Sequence, residues 1–569
     1  MCGIWCSIST EQFKKPTETL RSRLCQRGPD ASHHVEIQLA RDHALMPTLH
    51  LSFYATVLSL RGAYVVPQPL HDEVSDSVLC WNGEAWLFDG ASIPGSDTDF
   101  IFAQCLKACA KDAENGNSTE AILTTLSLIR GPFAFLFYDG RAKKLWFGRD
   151  CLGRRSLLHS SHGNQLILSN IGDQPSPVLW IEIEADGVYM ADFTLCSNTT
   201  GIFSSSAVNF FTTRIPFQPP SRIAETGPSP LSPPSAPVEA LQNHLSKSLY
   251  LRLSSIPKVL ELPRNPIFKP SRLAVLFSGG LDCTVLARMS NDILEANEPI
   301  DLLNVAFENP RLVKNLSAAA GPQRSVFDLC PDRLTARSSA RELQEACPSR
   351  EWRLVEIDIP FSEFKAHRGT IVSLMSPHNT EMDLSIAAAL HFAARGCGTI
   401  ALPSGEQMEY TTTSRVLLSG LGADELFGGY QRHATAFTRH GYRGLIDELD
   451  LDFNRLGKRN LGRDDRVTSH WSREVRYPFL DEDLVNWALA ARVDEKCGFG
   501  QQVADMAELA DEERWKGIEP GKKGLRLLAW NLGLRGVAME KKRAIQFGAR
   551  TAKMEGSKTK GTHVISPTD

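Results

Sequence analysis

No stretch of this chain is long and apolar enough to span a bilayer, and its first residues, MCGIWCSIST, lack the basic flank and apolar core of a secretory signal. The 13 cysteines never form a C-x-x-C pair, which argues for reduced thiols in a cytoplasmic protein and against disulfides or a zinc site. Neither charge sign dominates. With 62 Lys and Arg against 66 Asp and Glu the net charge is −4, so bulk electrostatics point to neither nucleic acid nor a membrane surface as partner. There is no internal repeat, and no G-x-x-x-x-G-K-[ST] run for a mononucleotide kinase loop. At 569 residues the chain exceeds one core and should form two or three domains.

What is present is concentrated first in two loops. In Leu273 to Arg288, LAVLFSGGLDCTVLAR, an apolar run leads into Ser278, Gly279, Gly280 and Asp282 and then a helical pattern. The glycines let backbone approach phosphate, the hydroxyl and successive N–H groups point inward, and the helix N-terminus adds a positive dipole end. A plain glycine-rich turn is the alternative for SGG alone. The SGGLD form resembles the pyrophosphate loop of the ATP pyrophosphatases, which activate carboxylates as adenylates. Arg415 to Tyr430, RVLLSGLGADELFGGY, repeats the arrangement with Ser419 and Gly420, then Asp424 and Glu425 opening a helix. Aspartates beside polyphosphate call for a divalent cation, so Asp282 and Asp424 are candidate Mg²⁺ ligands; in isolation they also read as ordinary first-turn acids. Loops after parallel strands gather at one edge of a doubly wound sheet.

The N-terminus carries a second chemistry. Removing Met1 would leave Cys2 with an α-amino group that titrates at about pH 8, suited to exchanging a proton with the thiol. Together with Gln26-Arg27-Gly28-Pro29-Asp30, Trp81-Asn82-Gly83-Glu84 and Gly95-Ser96-Asp97-Thr98-Asp99, this start resembles the class II, N-terminal-nucleophile (Ntn) glutaminase domain. The resemblance implies that Asn82 and Gly83 form the oxyanion hole for attack of Cys2 on glutamine, with Glu84 and Asp97 holding the substrate's α-amino group. Without Cys2, Asn82-Gly83 would read first as a hairpin turn. FGRDCLGRRSL, residues 147–157, resembles the same family, with Arg149, Asp150 and Gly153 in structural roles.

These motifs, with Arg463-Asp464-Asp465-Arg466 and REVRYPFLD at Arg473 to Asp481, stand in the order of glutamine-dependent asparagine synthetases. The resemblance covers residue 2 to about residue 490. LSLRG, FGRD-x-x-GRRSLL and KRAIQFGAR are closer still to the asparagine synthetase domain-containing branch. It implies an α+β Ntn glutaminase domain of αββα layering over 2–213, a proline-rich linker over 214–237, and an α/β ATP-pyrophosphatase synthetase domain, adenine nucleotide alpha hydrolase-like, over 238–550. A disordered tail is expected over 551–569. ATP and Mg²⁺ would be the cofactors, glutamine and aspartate the substrates, and Val305, in the apolar run Leu302 to Phe307, an adenine contact. In isolation the charges of 463–481 read as an exposed salt-bridge network.

Alternating patterns place strands near Val78 to Trp81, Phe133 to Tyr138, Lys144 to Phe147 and Gln165 to Leu168. Helices are expected near Pro16 to Leu24, Asp97 to Ala110, from Val238, and over Met382 to Arg395. Arg311 to Arg350 looks irregular. Three positions depart from the resemblance. Val57 stands where an Arg clamps the glutamine carboxylate, and Arg61, on a continued strand, would lie about 13 Å away. Leu421 replaces an acid of the SGEGADE loop, and Ala544 falls at a catalytic Lys, with Lys541, Lys542 and Arg543 beside it. Three readings follow: an asparagine-forming ligase, a degenerate interaction protein, or an enzyme that adenylates a different carboxylate.

Overall fold

The computed structural model describes all residues except 41–46, 63, 116–117, 174–178, 195–207, 212–229, 258–267, 312, 314–324, 506–508, 553, 555–560 and 566–569. The first half is built on two six-stranded antiparallel sheets. One runs Ile181–Glu182, Leu158–His162, Gln165–Ser169, Gly3–Ser9, Leu49–Val57, Ala31–Leu39; the other runs Val208–Phe211, Val188–Asp192, Lys144–Arg149, Phe133–Asp139, Ser77–Gly83, Leu70–Asp72. Strand alternation sets the layers. Ile4, Cys6, Ile8, Phe53, Val78 and Leu136 face inward between the sheets. The opposite faces carry helices: Trp5 and Tyr54 share a cluster with Leu20 and Leu24 of helix Glu18–Arg27, and Leu79, Phe135 and Phe137 pack with Ile101 and Cys105 of helix Asp97–Asn115. Thr17 caps the first of these helices by accepting from the Leu20 N–H at 3.2 Å.

The second half centres on a seven-stranded sheet in the order Gln407–Thr411, Cys397–Ala401, Trp352–Ile359, Ile300–Phe307, Leu273–Leu276, Val416–Leu418, Glu474–Arg476. The last five strands are parallel. From Leu273–Leu276 the chain builds outward on one side through Ile300–Phe307 and later on the other through Val416–Leu418. The two serine-glycine loops therefore flank the point where strand order reverses, the place where open α/β sheets bind ligands. Helix Glu381–Arg395 packs its small residues Ala387, Ala388 and Ala394 in the core; a Thr380–Asp383 capping box starts it, and Gly396 at φ +68° ends it.

Three expectations need correction. The segment read as irregular contains helix Pro331–Ala346, whose sparse apolar pattern is supplemented by Arg333 and Arg337 pairing with Glu356, Asp358 and Asp328. The expected linker lies outside the described residues up to 229, and helix Ala236–Leu253 begins inside its last residues, with Pro237 in the first turn where a missing N–H costs nothing. The tail is docked where it is described: Ile565 N–H donates to the Asn379 carbonyl at 2.7 Å, Glu381 N–H to that of His563 at 3.0 Å, and Val564 bridges Thr380. Met554 and Ile565, both buried, are apolar anchors that an average over a Gly-, Lys- and Thr-rich tail conceals.

The acids and arginines of 463–481 are not an exposed network. They are buried where the two halves meet: Arg27 pairs with Asp465, Arg154 with Glu482, Arg155 with Glu474 and Arg466 with Glu182, at 2.9, 2.5, 3.3 and 3.1 Å. Arg149, Asp150 and Gly153 are structural, as expected. The Arg149 guanidinium donates to the Arg155 and Ile183 carbonyls, Asp150 accepts from Phe133, Leu152 and Arg154 N–H groups, and Gly153 has φ +68°.

Candidate functional site

The chain holds two candidate centres, one in each half. In the first, strand Gly3–Ser9 is central in its sheet and delivers residue 2 into the interior. The Cys2 carbonyl accepts from Asn170 Nδ2 at 2.7 Å and Arg27 Nε at 3.3 Å, so the backbone is clamped, while Gln68 Nε2 lies 3.6 Å from Sγ. Burial pushes the thiol up, opposed by the N-terminal ammonium and the Leu58 backbone. Met1 precedes it, buried; burial lowers that amine, while Glu474 of the second half raises it.

Asn82 and Gly83 are the last two residues of strand Ser77–Gly83 and pair with Ala134 and Phe133, so they do not form a hairpin turn. Asn82 is wholly buried, and neither its Oδ1 nor its Nδ2 has a hydrogen-bond partner. Leaving such a group unsatisfied costs about 1–3 kcal/mol, a penalty a ligand oxygen at Nδ2 would relieve. A side chain at Gly83 would place Cβ 2.2 Å from the Pro132 carbonyl, so only glycine brings the backbone this close. Glu84 Oε1 sits 3.3 Å from Arg476 Nη2, and Oε2 has no hydrogen-bond donor; burial, with Glu474 nearby, pushes Glu84 up to about 8 against the pull of Arg476. Asp97 accepts from Ala85 N–H at 2.8 Å and Trp81 Nε1 at 3.3 Å, and burial raises it.

Arg61 is not where a continued strand would put it. Its strand ends at Val57, where Pro29 bridges and Asp30 caps the turn by accepting from Ser59 N–H at 2.8 Å. The chain then swings so that the Arg61 guanidinium donates to the Ala85 carbonyl at 2.6 Å and to that of Ile93, 4.0 Å from Glu84 Oε2. Val57 is buried at the expected clamp position, and Arg61 stands beside the two acids.

In the second half one cavity of about 590 Å³ is lined by Ser278, Gly280, Asp282, Val305, Ser419 and Gly420, together with Leu421, Asp424 and Ala544. Gly279 lies behind it: at φ +79°, its Cβ would come 2.4 Å from the Ala336 amide, so it seats the loop against helix Pro331–Ala346. Asp282 and Asp424 converge on one ammonium, with Lys522 Nζ 2.8 Å from both Asp282 oxygens and 2.7 Å from Asp424 Oδ1. Lys542 Nζ sits on Asp424 Oδ2. Although burial opposes ionisation, these two lysines hold Asp424 well below the usual carboxylate range. Glu425 accepts from the Tyr430 hydroxyl at 2.6 Å and is pushed up to about 7 by burial and then by Asp424.

Among the described residues no group of three His, Cys, Asp or Glu forms a metal cage. Mg²⁺ needs less: one or two carboxylates and substrate phosphates suffice. Asp424 Oδ1 is buried and near Lys522 yet accepts no aligned hydrogen bond, and the facing carboxylate of Asp282 completes a hard oxygen pair, so these residues fit the ion. Leu421 is partly buried against the core, its N–H 3.3 Å from Ser419 Oγ. Ala544 caps the short helix Ile545–Gly548, and Lys542 reaches the carboxylates instead. Gln68, Asn170 and Lys522 escape sequence reasoning, whereas Arg476 lies within REVRYPFLD; for Lys522 the doubled lysine of GKKGLR, residues 521–526, is the one local signal.

Comparison with known proteins gives the following. The family model Asparagine synthase matches residues 408–449 and 440–502. Asparagine synthetase domain-containing protein 1 of Bos taurus is 33% identical over 665 residues, covering 99% of this chain and 97% of that protein. An asparagine synthetase domain-containing protein of Saccharomyces cerevisiae is 32% identical, covering 93% and 88%. The asparagine synthetase [glutamine-hydrolyzing] of Sandersonia aurantiaca is 23% identical, covering 86% and 78%.

Proposed function

Because the chain belongs to the family of asparagine synthetase domain-containing proteins, we propose that it is a glutamine-dependent ligase with an Ntn glutaminase half and an ATP-pyrophosphatase half, converting aspartate to asparagine with release of AMP and pyrophosphate. The single observation that supports this reading is the convergence of Asp282 and Asp424, from two serine-glycine loops, on one point, where they meet the Lys522 ammonium at the cavity.

With Met1 removed, the Cys2 amine takes the thiol proton and Sγ attacks the glutamine amide. Asn82 Nδ2 and Gly83 N–H donate to the oxyanion, while Glu84 and Asp97 hold the α-ammonium; Arg61 stands ready for the carboxylate. Ammonia leaves, and water hydrolyses the thioester. In the other half the aspartate side-chain carboxylate attacks the α-phosphorus of ATP and pyrophosphate departs, cradled by Ser278, Gly280, Ser419 and Gly420. A bound Mg²⁺, held by Asp282 and Asp424, would neutralise phosphate charge. Ammonia then attacks the acyl carbon and AMP leaves.

A cytoplasmic setting suits the twelve described cysteines, none of which is in a disulfide. No helix among the described residues is long and apolar enough to cross a membrane. Leu421, an alkyl group at an expected acid position, favours a second reading, an interaction protein that keeps the folds without turnover. The deciding experiment is pyrophosphate release from MgATP with aspartate and ammonium chloride, wild type against Asp424→Ala. Aspartate-dependent release lost in the variant supports the ligase acting on aspartate; none from folded wild type points to another acceptor acid, and none with any acid offered supports the second reading.

A further inference from the structure

The cavity has a wall that the proposed chemistry leaves unused. Asp452, Arg455, Leu456 and Arg459 line it from helix Gln431–Arg459, spaced three and four residues apart and therefore on one face. The acids on this side are already matched. Asp452 is 2.8 Å from His433 Nε2 and 2.6 Å from Arg432 Nη2, and Arg463 pairs with both Asp383 and Asp464, at 2.7 and 2.8 Å. Arg455, half-buried, and Arg459, exposed, make no hydrogen bond or ion pair among the described residues. Two guanidinium groups one turn apart repel each other unless an anion lies between them, and their planar forks suit a carboxylate or phosphate bidentately.

We propose that the carboxylate activated in this cavity belongs to an acid that carries a further anionic group beyond an aspartate-like head, and that Arg455 and Arg459 bind that group. The proposal rests on the reading of the cavity as a site of ATP-dependent carboxylate activation. Three observations support it. The pair faces the same enclosure as Ser278, Asp282 and Asp424, so an acid held there would share the cavity with the nucleotide. At 590 Å³ the enclosure is within the range that accommodates substantial ligands. Finally, Leu421 presents an alkyl group to the same cavity, so this position adds no charge to the carboxylates that already line it.

The test is calorimetric binding to the full-length protein of three probes, L-aspartate, L-aspartyl-L-glutamate and O-phospho-L-serine, in wild type and in Arg455→Gln/Arg459→Gln. Near-ultraviolet circular dichroism checks the fold, and Arg455→Lys/Arg459→Lys is expected to retain part of the binding. At least one of the two more anionic probes should bind about tenfold or more tighter than aspartate, an advantage that disappears in the Gln variant while MgATP affinity is unchanged. A preference for phosphoserine makes the second anion a phosphate; a preference for the dipeptide makes it a carboxylate. Equal affinities, no binding of any probe, or an advantage that survives the double substitution overturns the proposal. If the favoured probe binds through the arginines yet triggers no pyrophosphate release, the ligase reading is what fails and the anion site stands.

Discussion

Replacing Arg27 by methionine tests how tightly the two halves depend on one another. Arg27 and Asp465 have no solvent exposure, and their 2.9 Å pair joins the helix that follows strand Gly3–Ser9 to the helix Leu461–Ser469 of the second half. Without Arg27, Asp465 Oδ2 keeps only the Ser156 N–H at 3.2 Å, and Oδ1 has Arg155 no nearer than 3.9 Å. Breaking a buried pair from one side costs about 3–5 kcal/mol, and with the Ser156 N–H and the more distant Arg155 left as partners the cost here falls toward the lower end of that range. Arg27→Met should therefore lower the urea midpoint of the first unfolding transition, followed by tryptophan fluorescence, and slow glutamine hydrolysis because the Cys2 carbonyl loses its Arg27 donor. Arg27→Met combined with Asp465→Leu removes both charges and should recover most of the midpoint. An unchanged midpoint in the single variant, or a double variant no more stable than the single, would refute this reasoning.

Asn82→Ala should cut glutamine hydrolysis about 10²- to 10³-fold while leaving ammonia-dependent pyrophosphate release intact; an equal loss in both assays would deny Asn82 its oxyanion role. Lys542→Ala should raise the ATP concentration needed for MgATP to shift the melting temperature, since this lysine reaches Asp424 where Ala544 cannot; no shift in that concentration would leave Lys542 a bystander. Acid should unfold the protein in two stages. Burial lowers His470 from 6.5 to about 4, so its folded form resists protonation: stability is complete above pH 6.5 and falls by up to about 3 kcal/mol toward pH 4. Glu474 and Glu482 are held at about 2 by arginines against burial, so their contribution is present above pH 4.5 and vanishes toward 2. Stability that stays flat from pH 7 to 4, or a His470→Gln variant with an unaltered profile over that range, contradicts the first stage.

The two serine-glycine loops were legible as strand-loop-helix turns because their pattern is written in adjacent residues: a strand end, a serine, glycines and an aspartate need no distant partner to be recognised. Strand alternation likewise located Val78 to Trp81 and Phe133 to Tyr138 within the observed strands. Arg61 was misplaced because the strand's end is set by its neighbour around Pro29, a tertiary event invisible in LSLRG. Lys522 was missed since nothing near GKK points toward Asp282, 240 residues away. Taken in isolation, apart from the family resemblance, the REVRYPFLD charges could pass for a surface network because their partners, Arg155 and Glu84, lie in the other half of the sequence. Helix Pro331–Ala346 was lost for a related reason: its arginines draw on the neighbouring strand Trp352–Ile359, which a periodicity window does not weigh.

The arginine-rich seam between the halves also has a history during synthesis. Arg27, Arg154 and Arg155 leave the ribosome long before Asp465, Glu474 and Glu482 exist, and at typical elongation rates the interval is roughly 15–90 s. Throughout that wait the face the first half will later hide stays exposed, its arginines hydrated beside apolar residues such as Leu152 and Leu158 that end in one cluster with Leu461 and Val475. The start of strand Gly3–Ser9, held through the Cys2 carbonyl by Arg27, is thus tied to Asp465 of the second half only when the chain is nearly complete.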